Sequence, residues 1–232
     1  MNFIKKNVRW LLPLIAAFII APFTPWLDMA TAHLCYQNAA GFSSNAFLDF
    51  LYTFGELPAQ LIGIVATLYF LHAVYARKRT QQRFVALILS LNMIIGYGSI
   101  TRTVLKELWG RPRPIQIEEF GGTHKFRPFY TPILKKGSDA LQSFPSGHAA
   151  CGFYFFSLYF IGYSYQKRWL KNLGLALGAT LGVLLSFVRI VQGGHFLSDT
   201  LFSALIMWET ACFVDFLIFE SDCFYFHPKT SR

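Results

Sequence analysis

The chain has 232 residues, of which 54% are hydrophobic and only 14% charged, and its mean hydropathy is +0.39. A soluble domain carries about 25% charged residues, so this composition excludes an ordinary water-soluble globule and describes an integral membrane protein. The net charge of +9 does not imply nucleic acid, because the basic residues group at the ends of apolar segments, where they meet lipid headgroups, and form no basic soluble face. Cys35, Cys151, Cys212 and Cys223 form no close pair, so neither a disulfide framework nor a zinc site is indicated.

A membrane-spanning helix needs about 20 mostly apolar residues. Six segments qualify, at about 10–27, 57–76, 84–105, 147–165, 171–190 and 197–219. All are expected to be helices, because lone strands cannot satisfy their backbone in lipid. The expected fold is therefore all-α: a polytopic six-helix bundle forming a single domain over residues 1–232. The first segment, with Lys5, Lys6 and Arg9 before it and Ala30-Thr31-Ala32 after it, resembles a secretory signal. About 18 apolar residues is long for a signal core, and an uncleaved span is the expectation.

Charge sets the orientation. The N-terminus carries Lys5, Lys6 and Arg9; the second connection Arg77, Lys78, Arg79 and Arg83; the fourth Lys167, Arg168 and Lys171. The first connection, 28–56, has Asp28, Asp49 and Glu56 and no Lys or Arg. The positive-inside rule then puts both termini in the cytoplasm and the odd-numbered connections outside. The third connection departs from the rule. Its Lys106, Arg111, Arg113, Lys125, Arg127, Lys135 and Lys136 outnumber its acids, which suggests a functional reason for the basicity. With His124, this loop suits a polyanionic headgroup, and Phe126, Phe129 and Tyr130 are expected to dip into the membrane interface.

Three short pieces, all on the predicted outer side, carry chemistry. Lys106 and Arg113 end the third span as candidate phosphate clamps, on a segment stiffened by Pro112 and Pro114. Pro145-Ser146-Gly147-His148 opens the fourth, where free backbone N–H groups attract anions, Ser146 adds a hydroxyl and Gly147 admits close approach. His148 is placed to protonate a departing alkoxide. Arg189 ends the fifth span, and Gly193-Gly194 allows a turn that brings it beside His195. His195 and Asp199 are four apart, so on a helix they share a face, and a carboxylate beside an imidazole fixes its tautomer. An arginine beside a reactive histidine suits a phosphoryl group. Arg102 shares a face with Lys106 and either joins the site or pairs with an acid; Glu209 and Asp215, inside the last span, read as packing residues.

The pattern Lys106-x6-Arg113-Pro114, Pro145-Ser146-Gly147-His148 and Arg189-x5-His195-x3-Asp199 resembles the type-2 phosphatidic acid phosphatase superfamily. The resemblance implies cofactor-free and metal-independent hydrolysis through a phosphohistidine. His195 would be the nucleophile, Asp199 its partner and His148 the acid, with Lys106, Arg113, Ser146, Gly147 and Arg189 binding phosphate. Val188 stands where the family has Ser, which removes a hydroxyl but no charge. A looser similarity, through Trp109–Pro114, Glu118–Gly122 and Gly193–Asp199, is to the lipid A phosphatase branch, 4′-phosphatases in particular. The implied setting is a bacterial inner membrane with the site facing the periplasm and a phospholipid or glycolipid as partner. Undecaprenyl-diphosphate or phosphatidylglycerol-phosphate phosphatase, a lipid-to-lipid phosphotransferase, and a non-catalytic lipid-binding or transport protein are the alternatives.

Overall fold

A computed structural model describes residues 2–37, 40–78, 80–134 and 141–219; Arg79, Lys135, Lys136 and Cys223 lie outside the described residues. The chain is built from helices α1 (Asn2–Ile20), α2 (Thr24–Cys35), α3 (Ala46–Phe54), α4 (Leu57–Tyr75), α5 (Gln81–Leu91), α6 (Lys106–Leu108), α7 (Gly147–Phe153), α8 (Phe156–Ser164), α9 (Arg168–Val191) and α10 (Leu197–Phe219). The two-residue strands β1 (Tyr36–Gln37) and β2 (Gly41–Phe42) pair antiparallel between α2 and α3. A π-helical segment, Asn92–Leu105, joins α5 to α6.

Among the described residues, five helical stretches are long and apolar enough to cross a membrane: Asn7–Cys35, Ala46–Tyr75, Gln81–Leu108, Arg168–Val191 and Leu197–Phe219. Their outer surfaces carry bare Leu12, Phe18, Val65 and Val183, as a lipid-facing wall requires. The first runs further than its sequence suggests, because Pro22 and Pro25 bend it through a 3-10 turn (Ala21–Phe23) without stopping it. Much of the expected connection 28–56 is thus helical. α3 is capped by the Asn45 side chain, which accepts from the Leu48 N–H at 2.9 Å.

Two further departures have local causes. The expected span 147–165 is two helices, α7 and α8, divided at Tyr154–Phe155. The Ser157 and Leu158 N–H groups reach back only three residues there, to Tyr154 and Phe155, which tightens the turn. The Asn92 side chain donates to Ser157 beside this break. In the π segment, the Ser99, Thr101 and Thr103 hydroxyls each donate to a carbonyl five residues back, at 2.8–2.9 Å. Hydrophobic periodicity does not mark such a widening of the helix.

Glycines let the helices close on one another. Gly174, Gly178 and Gly182 form a stripe on α9 against Tyr159, Phe156 and Phe153. Across it, a Cβ on Gly152 would lie 2.6 Å from the Gly182 backbone. Tyr97, Ala150, Cys151, Phe153 and Met207 fill the interior between the π segment, α7 and α10. At the end away from the predicted motifs, Asp215 pairs with Arg9 at 3.3 Å and accepts from Ser164, and Arg9 lies 3.9 Å from the Tyr163 ring centroid. Asp215 is therefore a packing residue, as expected. Gly152→Leu is expected to cost about 1–3 kcal/mol through overpacking against rigid backbone, read as a lower Tm in detergent; an unchanged Tm would mean the α7–α9 contact is not close-packed.

Candidate active site

The predicted residues converge at one end of the bundle. Lys106 follows the π segment, Ser146–His148 open α7, Arg189 lies in the last turn of α9, and His195 sits in the turn between α9 and α10. Short backbone bonds knit these ends together: Ile115 N–H donates to the Gly193 carbonyl at 3.1 Å, Ser143 to Arg111 at 3.0 Å, and Ser146 to Asp199 at 3.3 Å.

His195 is buried, and the geometry sets its tautomer. Its Nδ1 lies 2.6 Å from the Ser143 carbonyl oxygen, which can only accept. Nδ1 therefore carries the proton and Nε2 keeps a lone pair. Asp199 Oδ2 is 3.6 Å from Nδ1, so the carboxylate is an electrostatic neighbour and the carbonyl is the hydrogen-bond partner. The expectation that His195 and Asp199 share a helical face fails in detail, because α10 begins only at Leu197. Asp199 Oδ2 instead accepts from the Phe196 N–H at 2.8 Å and the Ser143 hydroxyl at 2.6 Å. Burial pushes the His195 pKa down to about 3, against the upward pull of Asp199 and with the help of Lys106 and Arg189. The ring is therefore neutral at ordinary pH.

Lys106 and Arg189, two of the three expected phosphate-binding cations, act electrostatically on the ring. Lys106, Arg113 and Arg189 act on one another electrostatically, with Arg102 also acting on Lys106. The Nε atoms of Arg113 and Arg189 are buried and have no hydrogen-bond partner among the described residues. Buried donors normally find acceptors, so these two are set for an anion. Arg189 is aimed by Gln192, which accepts from Nη1 at 2.7 Å and itself donates to Asp49 at 3.1 Å. Gly193 has φ +65°, and a Cβ on Gly194 would lie 2.1 Å from Arg189 Nη2. The diglycine turn is thus required for the arginine to lie over it.

At α7 the roles shift. The buried Ser146 hydroxyl accepts from the Ala149 N–H at 3.3 Å and caps its helix, leaving only its own proton to donate elsewhere. Gly147 packs closely here, since a Cβ would sit 3.3 Å from Glu56 Oε1 and 3.5 Å from Arg102 Nη1. Arg102 therefore belongs to the rim of this cluster. His148 Nε2 lies 2.8 Å from the Tyr52 carbonyl oxygen, and its ring stacks on the Tyr52 ring at 5.0 Å. The other face of the story is Arg189, 4.4 Å from the same Tyr52 ring centroid.

A second layer escaped the sequence reading. Arg111, counted there only as a basic loop residue, is buried and paired with two carboxylates: Nη1 with Asp199 at 2.5 Å and Nη2 with Asp28 at 2.7 Å. Its Nε donates to the Arg127 carbonyl at 2.9 Å. Asp28 also accepts from the Ser198 N–H and hydroxyl, both at 2.7 Å. The available signal was an acid at the edge of an apolar span, where an unpaired charge is expensive. A cut after Ala32 would take Asp28 with it. The aromatic loop is corrected too: Phe129 packs on Phe144 and Phe202, Phe126 packs edge-on to Phe196, and only Tyr130 is exposed. Val188 is buried.

Residues 85–220, more than half of the chain, match the PAP2 superfamily. The chain belongs to the PAP2 superfamily. Within it, the chain is 28% identical over 210 residues to the lipid A 4′-phosphatase of Francisella tularensis subsp. novicida, covering 88% of this chain and 91% of that one. It is 37% identical over 131 residues to a lipid A 4′-phosphatase of Rhizobium leguminosarum, covering 55% of this chain and 51% of that one. The corresponding Rhizobium etli protein is 34% identical over 108 residues, covering 46% and 39%. No solved structure matches.

Two outcomes follow for this PAP2 site. Asp28→Ala leaves Arg111 short of one buried counter-ion and should cost about 3–5 kcal/mol, seen as a large fall in Tm; a wild-type Tm would show that the pair does not hold the loops. Between pH 6.5 and about 3 the unfolded chain binds a proton at His195 that the folded chain does not, so stability falls as pH drops through that window. His195→Gln should show a shallower loss of Tm over the same range.

Proposed function

We propose that this protein is a membrane lipid phosphatase that removes a phosphate monoester from lipid A or a closely related glycolipid through a phosphohistidine. The observation that carries this reading is the buried neutral His195, with Nδ1 committed to the Ser143 carbonyl, Nε2 left as a nucleophile, Lys106 and Arg189 acting on the ring, and the Nε donors of Arg113 and Arg189 without a partner among the described residues. Membership of the PAP2 superfamily and the names of the relatives supply the substrate class.

In this mechanism Lys106, Arg113, Arg189 and the Ser146–Gly147 turn hold the phosphoryl oxygens. His195 Nε2 attacks phosphorus in line as the bond to the lipid oxygen breaks, and His148 gives that oxygen a proton. Asp199 offsets the positive charge that the ring gains. His148, now neutral, takes a proton from water, which attacks phosphorus, breaks the P–N bond and releases phosphate.

The same reading takes α7 and α8 together as a sixth crossing of one 232-residue domain in a bacterial inner membrane. Arg9, Lys78, Arg83, Lys167, Arg168 and Lys171 then face the cytoplasm, and the site faces the periplasm.

The test is phosphate release by the purified protein from lipid A, undecaprenyl diphosphate, phosphatidylglycerol phosphate and phosphatidic acid, with chelator present. Lipid A is expected to be the best substrate, with loss of the 4′-phosphate by mass spectrometry. His195→Ala should abolish release while the protein still unfolds cooperatively. Full activity in that variant would sink the mechanism, and preference for another lipid would reassign the substrate.

A further inference from the structure

The geometry points to Glu56 as the positioning residue that holds His148 in its proton-donating form, a role that rests on the phosphohistidine reading above. Glu56 lies at the junction of α3 and α4, where Gly55 lets the chain close on Leu185 of α9. One carboxylate oxygen is fully engaged: Oε2 accepts from the Tyr97 hydroxyl at 2.8 Å and from Gln60 Nε2 at 2.9 Å. Tyr97 and Gln60 also touch each other at 3.0 Å, which closes a triangle. The other oxygen is held in reserve. Oε1 is buried, has no hydrogen-bond partner among the described residues, and lies 3.0 Å from His148 Nδ1, within ion-pair reach but not aligned as a hydrogen bond.

The second ring nitrogen decides what this means. His148 Nε2 faces the Tyr52 carbonyl oxygen at 2.8 Å. A carbonyl never donates, and an ionised carboxylate only accepts. Both ring nitrogens therefore face acceptors. A neutral imidazole, with one proton, would leave a lone pair against one of them; the imidazolium suits both. Burial pushes the His148 pKa below its ordinary value, and Lys106 and Arg189 add to that, with Arg102 beside Gly147; Glu56 and the Tyr52 carbonyl pull it back up. Glu56 is the acid that opposes the cations, while Tyr97 reaches the ring only through Glu56.

Glu56 thus favours the imidazolium of His148 against burial and the neighbouring cations. In that form the Nε2 proton faces the Tyr52 carbonyl. When the phosphorus–oxygen bond breaks, that proton passes to the departing lipid oxygen and leaves a neutral ring, whose Nδ1–H still faces Glu56. Neither Tyr52 nor Glu56 lies in the 85–220 match, so the acid half of the chemistry depends on the N-terminal third of the chain.

The test compares an alkyl phosphate, whose alkoxide must be protonated to leave, with p-nitrophenyl phosphate, whose anion leaves unaided. The kcat/KM of each is measured on the full-length protein in detergent, because that ratio covers steps only up to leaving-group departure. General acid catalysis contributes on the order of 10²–10⁴-fold, so Glu56→Gln should lower alkyl phosphate turnover by about 100-fold and move the alkyl-to-aryl ratio by at least about tenfold. The alkaline limb of the alkyl profile should shift to lower pH, and Glu56→Asp should recover part of the ratio. An equal loss on both substrates, or no loss on either, overturns the proposal. If Glu56→Gln does not fold, Tyr97→Phe keeps the ring, removes one donor to the carboxylate and should move the ratio in the same sense; an unmoved ratio there overturns it as well. His195→Ala separates the two ideas: if it stays active the phosphohistidine reading falls, whereas an inactive His195→Ala with an unmoved Glu56 ratio removes Glu56 alone.

Discussion

Everything at the reactive end of this bundle depends on one buried guanidinium. Arg111 holds Asp199 on one side and Asp28 on the other, and Ser198 bonds to both Arg111 and Asp28. An ion pair out of water repays its desolvation only when every partner is satisfied. Here each carboxylate has further donors: Ser143 and the Phe196 N–H for Asp199, and the Ser198 N–H for Asp28. The loop after α6, the turn before α10 and the end of the first helical stretch are thereby locked to a common point. His195 inherits its orientation from that lock, because Ser143, which accepts its proton, is fixed by the same aspartate.

Two electrical environments lie side by side. Beneath His195 one guanidinium and two carboxylates are tied into a closed network, and burial leaves the ring neutral with its lone pair available. Above it the balance is broken in favour of cations, with two arginine Nε donors left unused among the described residues. That contrast creates a place for an anion near a buried imidazole. The glycines at 193 and 194 serve the same end, since side chains there would collide with Phe42 and Arg189, and Gly147 leaves room beside Glu56.

The legible parts of the sequence were those governed by short-range rules. Apolar length located the helices, and residues 197–219 coincide with α10. The spaced cations and histidines named residues that the structure brings to one end of the bundle. The rest was hidden for physical reasons. A π-helical stretch and a continuous α-helix share nearly the same hydropathy, so Asn92–Leu105 is invisible to periodicity. The break at Tyr154–Phe155 is made by shortened backbone bonds that no residue type announces. Asp28, Tyr52, Glu56 and Arg111 were missed because their partners lie far along the chain, so their charges were read against a solvent they do not meet.

The Asp28–Ser198 bonds join residues 170 apart, the first helical stretch to the last. That span has a consequence for biogenesis. A chain that enters the bilayer from its N-terminus brings in Asp28 long before Arg111 or Ser198 exists, so a carboxylate at the edge of an apolar span begins without either partner. The first helical stretch therefore gains its buried bonds only after residues 111 and 198 have been made.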